Sequence, residues 1–294
     1  IVSSTTNKLF PFMPMPLIQI LLGIVIGLFL PNNQYHLDTE LFLALVIGPL
    51  LFREAQESDI TSILKHWRIV LYLIFPVIFI STLSIGGLAH VLWVSLPLAA
   101  CVAVGAALGP TDLVAFASLS ERFTFSKRIS NILKGEGLLN DASGLVAFRM
   151  ALIAWTTGAF SLSQAGSSLA ISIIGGFTIG FITAIINRFL HTFLLSVRIT
   201  DIASELLLEL SLPLLTFYLA ENLHVSGIIA VVVAGILKAS RFKKINLLEA
   251  QVDTVTETVW HTVTFILNGS VFVILGMELE WISEPILKSP FYNK

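Results

Sequence analysis

Two aspartates lie deep inside long apolar stretches of this chain, each directly after a polar neighbour. Asp112 follows Thr111, and Asp141 follows Asn140. An ionisable side chain is costly inside a lipid bilayer, so its presence in such a stretch is a functional hypothesis by default. Carboxylate, carbonyl and hydroxyl oxygens suit small, hard cations. The two pairs therefore predict an oxygen-lined cation site, which requires two helices to bring them together.

The same residue types predict what this site would do. Burial disfavours the charged form of a carboxyl group in general, whereas a bound cation favours that form. A proton and a cation therefore compete for one carboxylate. If the site faces the two sides of a membrane in turn, this competition couples the movement of one to the movement of the other. We expect such exchange to need no cofactor, and no phosphate-binding loop indicates a nucleotide.

Two more acids lie near these pairs along the chain. Glu136 is four residues before Asn140, so the two share a helix face, whereas Asp141 points to another side. Glu54 follows Arg53 at the end of the second apolar stretch. We expect both acids to support the cation site. The alternative for Glu54 is a local ion pair with Arg53, which would contribute little.

Structural roles are alternatives for the other polar residues as well. Thr111 or Asp112 would cap a half-helix that begins after Gly109-Pro110, because proline breaks the preceding helix. Asp141 and Glu136 would tie helices together by hydrogen bonds. A helix broken by Gly109-Pro110 also exposes free backbone groups, which transporters use to hold ions near the bilayer midplane.

Composition places the chain in a membrane. Of 294 residues, 55% are hydrophobic and 12% are charged, and the mean hydropathy is +0.89. A soluble globular domain carries about 25% charged residues. The lone Cys101 excludes an internal disulfide framework, and the formal charge of −2 argues against a nucleic-acid partner. The fold class predicted is an all-α membrane protein, a polytopic helical bundle that contains a discontinuous helix.

Apolar stretches long enough to cross a bilayer of about 30 Å recur along the whole sequence. They predict about nine spans within one transmembrane transporter domain, residues 1–294. The predicted spans cover residues 12–30, 40–55, 68–88, 91–119, 129–157, 167–189, 202–221, 224–240 and 257–280.

Lysine and arginine are distributed unevenly among the loops between these spans. Cytoplasmic loops collect both residues. The positively charged loops are residues 53–68, 121–134, 188–201 and 238–250, whereas the alternate loops, near 31–39, 89–90, 158–166 and 222–223, have neither residue. This alternation predicts that the first span runs from the inside to the outside and that Lys294 lies outside.

Several stretches together resemble the cation/proton antiporter family, in its bacterial sodium/proton exchanger branch. They are Thr111-Asp112, Gly135 to Asp141, Val225-Ser226-Gly227-Ile228, and Leu267-Asn268-Gly269. The resemblance runs over essentially the whole chain. It implies an antiporter-like inverted-repeat fold with a dimerisation bundle and a mobile core bundle, in a multi-pass protein of the plasma membrane. It also implies a homodimer when the protein is complete.

The resemblance assigns a role to each polar residue of the predicted site. Asp141 would be the exchanging carboxylate, with Asn140 as its neutral neighbour. Thr111 as a backbone or hydroxyl contributor and Asp112 as a helper at the helix crossing would complete the cation site. The supporting residues would be Glu136, as an acid paired with a later arginine, and Glu54, as an acid near the cytoplasmic funnel. Two departures are Leu113, where many relatives have proline, and Gly137, where some have a serine ligand.

The family pattern has thirteen spans, so the nine predicted here correspond to its second to tenth. We therefore expect the chain to lack the first and the last three spans, including a second broken helix and the arginine partner of Glu136.

Two other functions are compatible with the sequence. A potassium/proton exchanger of the same fold differs in oxygen number and cavity size, which the sequence does not specify. An intramembrane enzyme would use Asp112 and Asp141 as an acid/base pair on one water. The neutral Asn140 beside Asp141 and the exchanger-like flanks favour transport, with monovalent cations, protons and the lipid bilayer as the partners, and not an enzyme.

Overall fold

The computed structural model describes residues 13–29, 38–58, 65, 67–72, 76–110, 125–157, 162–197, 202–239 and 247–287. Within these ranges the side chains of some helical residues, Asn140 and Asp141 among them, lie outside the description, as do Thr111 and Asp112 entirely. The described chain is helical and contains no strand. The helices are α1 (Met15–Phe29), α2 (Thr39–Phe42), a π-helical turn (Leu43–Ile47), α3 (Gly48–Glu57), α4 (Trp67–Tyr72), α5 (Ile78–Leu92), α6 (Leu98–Leu108), α7 (Lys127–Thr157), α8 (Leu162–Ser196), α9 (Ile202–Asn222), α10 (Gly227–Ala239) and α11 (Leu247–Leu287).

Helices occupy each of the nine predicted spans, but one predicted loop is misplaced. The sequence placed it at residues 89–90, whereas α5 continues to Leu92 and α6 begins at Leu98. Pro97 precedes α6 with φ −58° and ψ 144°, an extended conformation from which a helix starts. The apolar residues Trp93, Val94 and Leu96 concealed this turn, because hydropathy alone does not distinguish a short apolar turn from a helix.

Several helices extend beyond their predicted ends. The helix α8 reaches Ser196, past its predicted end at residue 189. Arg188 and Lys238, which the sequence analysis also counted among the loop charges, lie within α8 and α10. The helix α11 has 41 residues, far more than the 257–280 span predicted. At 1.5 Å per residue it is about 60 Å long, which exceeds the thickness of a bilayer.

Apolar helices and apolar outer surfaces mark a membrane protein. Three described helical stretches are long and apolar enough to span a bilayer, namely Ala170–Leu194, Ile202–Asn222 and Thr254–Leu279. Shorter apolar helices accompany them, α5 and α6 included. Large apolar side chains such as Phe189 lie exposed on these helices. In water such a surface would aggregate, whereas in lipid it is the expected outer face.

The chain divides into two compact units. The first comprises residues 1–50 and 245–294, and in it α1 packs against α11. A Cβ atom built on Gly23 would lie 2.1 Å from the carbonyl oxygen of Val273, and one on Gly276 would lie 2.2 Å from that of Ile20. Only glycine permits this backbone approach, which is how membrane helices gain contact area without a hydrophobic effect.

The second unit comprises residues 51–244. Within it α6 packs between α5 and α7, and α10 packs against α8 and α9. Glycines again allow the closest approaches: a Cβ on Gly105 would lie 2.1 Å from Thr82 O, and one on Gly180 would lie 2.2 Å from Ala230 O. All the predicted site residues belong to this unit. The single transporter domain predicted for residues 1–294 stays a prediction.

Candidate functional site

The helix α7 carries the predicted exchanging carboxylate at its midpoint. Asn140 and Asp141 lie at the centre of the 31 residues from Lys127 to Thr157, although their side chains are outside the described residues. Glu136 lies one turn earlier and is buried, with 7% of its surface exposed. An acid this deeply buried requires a partner. Glu136 does take part in an interaction, and its predicted pairing with a later arginine stays a prediction.

The helix α6 ends where the sequence predicts a break. Its last residue is Leu108, and Gly109 and Pro110 form a bend. Proline has no N–H group and clashes with the preceding turn, which accounts for the end of the helix. The start of a second half-helix and the positions of Thr111 and Asp112 lie outside the described residues.

The end of α6 contacts α7 next to the Asn140-Asp141 pair. A Cβ built on Gly144 would lie 2.3 Å from Cγ of Pro110 and 3.5 Å from the carbonyl oxygen of Ala106. Gly144 is three residues after Asp141, and Pro110 is two residues before Asp112. The described flanks of the two aspartates are therefore in van der Waals contact. A direct approach of the two carboxylates stays a prediction.

Two hydroxyl groups of α5 also lie beside the break. A Cβ built on Gly109 would be 3.2 Å from Ser81 Oγ and 3.2 Å from Thr82 Oγ1. Ser81 donates to the Ile78 carbonyl at 2.9 Å, whereas the buried Thr82 hydroxyl has no hydrogen-bond partner in the described part of the chain. The sequence analysis missed both residues. Their polarity could have identified them, because Ser81 and Thr82 form a polar pair inside the predicted apolar span 68–88.

Glu54 lies half-buried near the end of α3. Its neighbour Arg53 forms an ion pair with Glu57, with Nε and Oε1 2.6 Å apart. Arg53 also donates from Nη1 to Gln56 Oε1 at 2.9 Å. Arg53 thus has an ion-pair partner one turn ahead on its own helix. The alternative given by the sequence was a local ion pair of Arg53 with a different residue, Glu54.

A cluster of four side chains joins α3 to three other helices; it consists of Gln56, Asn187, Glu209 and Lys238 and is called the buried polar cluster below. Lys238 Nζ lies 2.7 Å from Glu209 Oε2, and the two side chains are 8% and 5% exposed. Gln56 Nε2 donates to Glu209 Oε1 at 2.7 Å, and Lys238 donates to Asn187 Oδ1 at 3.0 Å. Asn187 in turn donates to the Leu208 carbonyl at 3.2 Å.

The spacing of Glu205 and Glu209 places them on one helix face, and the sequence predicts a helix end or a vestibule near the inner interface as their position. In the structure Glu209 lies seven residues inside α9 and is buried against Lys238, a residue of the predicted loop 238–250. The Lys238 ammonium supplies the counter-charge of the Glu209 carboxylate, so the cluster is a buried ion pair joined to two amides.

Two further ion pairs each contain a glutamate of α9. His191 Nε2 lies 2.8 Å from Glu205 Oε1, and Arg149 lies 3.5 Å from Glu221, which also accepts from the Gly227 N–H at the start of α10. Among the described residues no group of three or more His, Cys, Asp or Glu side chains could hold a metal ion.

Comparison with known proteins identifies the family. A family model described as "Sodium/hydrogen exchanger, transmembrane" matches residues 1–291. The chain is 36% identical over 291 residues to a "Sodium, potassium, lithium and rubidium/H(+) antiporter" of Bacillus pumilus, which covers 99% of the chain and 43% of that protein. It is 37% identical over 278 residues to the protein of the same name from Bacillus subtilis, covering 95% of the chain and 42% of that protein.

A third relative is the "Na(+)/H(+) antiporter NhaH" of Halobacillus aidingensis, 30% identical over 274 residues, with 88% of the chain and 66% of the relative covered. The chain thus spans less than half the length of the two Bacillus relatives. The family model matches nearly all of the sequence. This match and the helical membrane fold both agree with the motifs around the two aspartates. The chain belongs to the sodium/hydrogen exchanger family of membrane transporters.

Proposed function

We propose that the protein to which this chain belongs exchanges a monovalent cation for protons at a site formed by Thr111, Asp112, Asn140 and Asp141. The observation that carries the proposal is the contact of Pro110 with Gly144, which holds the flanks of both aspartates together at the midpoint of α7.

Asp141 binds the proton or the cation in alternation. Thr111 supplies hydroxyl or backbone oxygen, Asp112 assists where the chain is unwound, and Asn140 donates or accepts without titrating. Glu136 and Glu54 support the site, the first through its buried interaction and the second from the cytoplasmic side. The unpartnered Thr82 hydroxyl adds an oxygen beside the break.

Sodium and potassium are both candidate cations. The names of the two Bacillus relatives include sodium, potassium, lithium and rubidium, whereas that of the Halobacillus relative includes sodium alone. A carboxylate beside neutral oxygens accepts any of these hard monovalent ions, and cavity size then sets the preference. Exchange is electroneutral, because one carboxylate carries either one proton or one cation and the Asn140 amide adds no second proton.

Alternating access follows from movement of one bundle against another, and two copies of the complete protein associate through the other bundle. Competition between proton and cation drives the coupling, so neither nucleotide nor cofactor takes part.

Membership in a transporter family also removes the ground for an intramembrane aspartate enzyme.

Transport by the complete protein in proteoliposomes tests this proposal. An outward sodium or potassium gradient is expected to acidify the lumen. With the sodium gradient, the rate of acidification is expected to stay the same when a potassium ionophore, with equal potassium on both sides, clamps the membrane potential. The Asp141→Asn variant is expected to be inactive, because an amide cannot exchange a proton. Undiminished transport by that variant would refute the assignment of the site, and transport that generates a potential would refute electroneutrality.

A further inference from the structure

We propose that the buried polar cluster is a positioning device, which fixes the rotation of α3 and thereby directs Glu54 away from α10. The inference rests on the proposed function, in which Glu54 supports the site. It adds Gln56, Glu209 and Lys238 as positioning residues, none of which contacts the cation.

The first step is the contact between α3 and α10. A Cβ built on Gly235 would lie 2.5 Å from the carbonyl oxygen of Phe52 and 2.9 Å from Cβ of Ala55. Phe52 and Ala55 are both fully buried. This contact sets the distance between the two helices. However, a small and smooth glycine surface does not by itself select one rotation of α3 about its axis.

The second step is the direction of Gln56. Successive residues of an α-helix are separated by about 100°, so Gln56 lies about 40° from Phe52, on the face that packs against α10. Its hydrogen bond of 2.7 Å to Glu209 crosses to α9, and Glu209 is held in turn by Lys238 of α10. A directional bond of this kind restricts the rotation that the apolar contact permits.

The third step is the position of Glu54 on the same helix. It lies about 160° around the axis from Gln56, on the face of α3 opposite to the cluster. A rotation of α3 by a few tens of degrees would therefore carry the Glu54 carboxylate sideways by several ångströms. Anchoring one face of the helix is a direct way to fix a group on the other face.

The fourth step concerns charge. A buried ion pair adds little net stability, since desolvation offsets the Coulomb attraction, and its best-attested role is to specify one arrangement. The cluster contains one carboxylate, one ammonium and two amides, so its net charge is zero. It can therefore fix the position of Glu54 without imposing a field that attracts or repels the transported cation.

The test measures cation dependence in proteoliposomes with the complete protein and the Gln56→Met variant. Methionine keeps the length and volume of glutamine and leaves the Glu209–Lys238 pair intact, but it removes the hydrogen bond that Gln56 donates to Glu209 and the one that it accepts from Arg53. We expect the apparent KM for sodium to rise about five- to tenfold, a factor of the size of one net hydrogen bond, while the maximal rate stays within about twofold. In a Glu54→Gln background, Gln56→Met is expected to change the apparent KM no further.

The matched control is Thr216→Val on α9. It removes a buried hydrogen bond of 3.0 Å to Thr183 that has no link to α3, so the apparent KM is expected to stay at the wild-type value. If Gln56→Met does not reach the membrane, Gln56→Asn keeps the amide but withdraws it from Glu209, and a KM shift in the same direction is expected.

Three results would overturn the inference: an unchanged KM in the Gln56 variants, an equal rise in Thr216→Val, or additive effects of the Glu54 and Gln56 substitutions. Loss of exchange by the wild-type protein would instead contradict the proposed function and not this inference.

Discussion

At the residue scale, the described charges fall into two kinds according to their burial. Glu209 and Lys238 are enclosed between helices, whereas the carboxylate of Glu57, which pairs with Arg53, is 60% exposed. A charge left alone in a low-dielectric interior is costly, but one at the surface regains water when its partner is removed. The two pairs should therefore differ sharply when one partner is neutralised.

Neutralising Glu209 is expected to destabilise the protein strongly. Glu209→Gln leaves the Lys238 ammonium buried without a counter-charge, which costs about 3–5 kcal/mol, whereas Glu57→Gln costs about 0–1 kcal/mol. Thermal unfolding of the complete protein in detergent compares the two variants with the wild type. Equal unfolding midpoints for both variants would show that the Glu209–Lys238 pair is not enclosed as described.

The sequence could reveal which polar residues were candidates, but not most of their partners. Asp112, Asp141 and Glu136 stand out because each interrupts an apolar stretch. Gln56 and Glu209 are 153 positions apart, and nothing in local pattern or spacing connects them. Such long-range pairs depend on tertiary packing, which a residue's immediate neighbours do not encode.

At the element scale, helices could be predicted from hydropathy because nearly every apolar stretch becomes one. The break after Leu108 was also predictable, since Gly109-Pro110 cannot continue a helix. The turn at 93–97 was not, because its residues are as apolar as the helices around it. The end of α8 was also misplaced, because the helix continues past Arg188 to Ser196 although a charged residue ends the apolar stretch there.

Glycines on α8 determine how closely it packs against α10, and one substitution tests this. In Gly180→Ala the new methyl group would lie 2.2 Å from the Ala230 carbonyl, so the helices must separate. We expect lower yield and a lower unfolding midpoint in detergent. The matched control is Gly87→Ala on α5, where a Cβ has no neighbour within 4 Å.

Alanine has the higher helix propensity, so Gly87→Ala is expected to be neutral or slightly stabilising by up to about 1 kcal/mol. If Gly180→Ala behaved in the same way, the close approach of α8 and α10 would be wrong.

At the scale of the whole molecule, the alternation of loop charge predicts an orientation in the cell membrane. Ser126 lies exposed just before α7, in a loop predicted to be cytoplasmic, whereas Leu223 lies exposed in the turn between α9 and α10, predicted to be outside. The next residue, His224, has a φ of 56°, a left-handed conformation within this turn. The two positions therefore provide a matched pair for labelling.

Labelling intact cells with an impermeant maleimide measures this orientation. Leu223→Cys is expected to react and Ser126→Cys to be protected until the membrane is opened. Cys101 is fully buried, so this chain contributes little background once cysteines elsewhere in the complete protein are replaced. Efficient external labelling at residue 126 would invert the topology.

Competition between a proton and a cation for Asp141 is the central claim, and proton release by the purified complete protein tests it most directly. In a weakly buffered detergent solution, addition of sodium is expected to release on the order of one proton per chain, since the bound cation favours the charged carboxylate. Choline, which is too large for such a site, is expected to release none. The Asp141→Asn variant is expected to show no release with any cation. Release of the same size from that variant, or none from the wild type under conditions where it transports, would contradict the account.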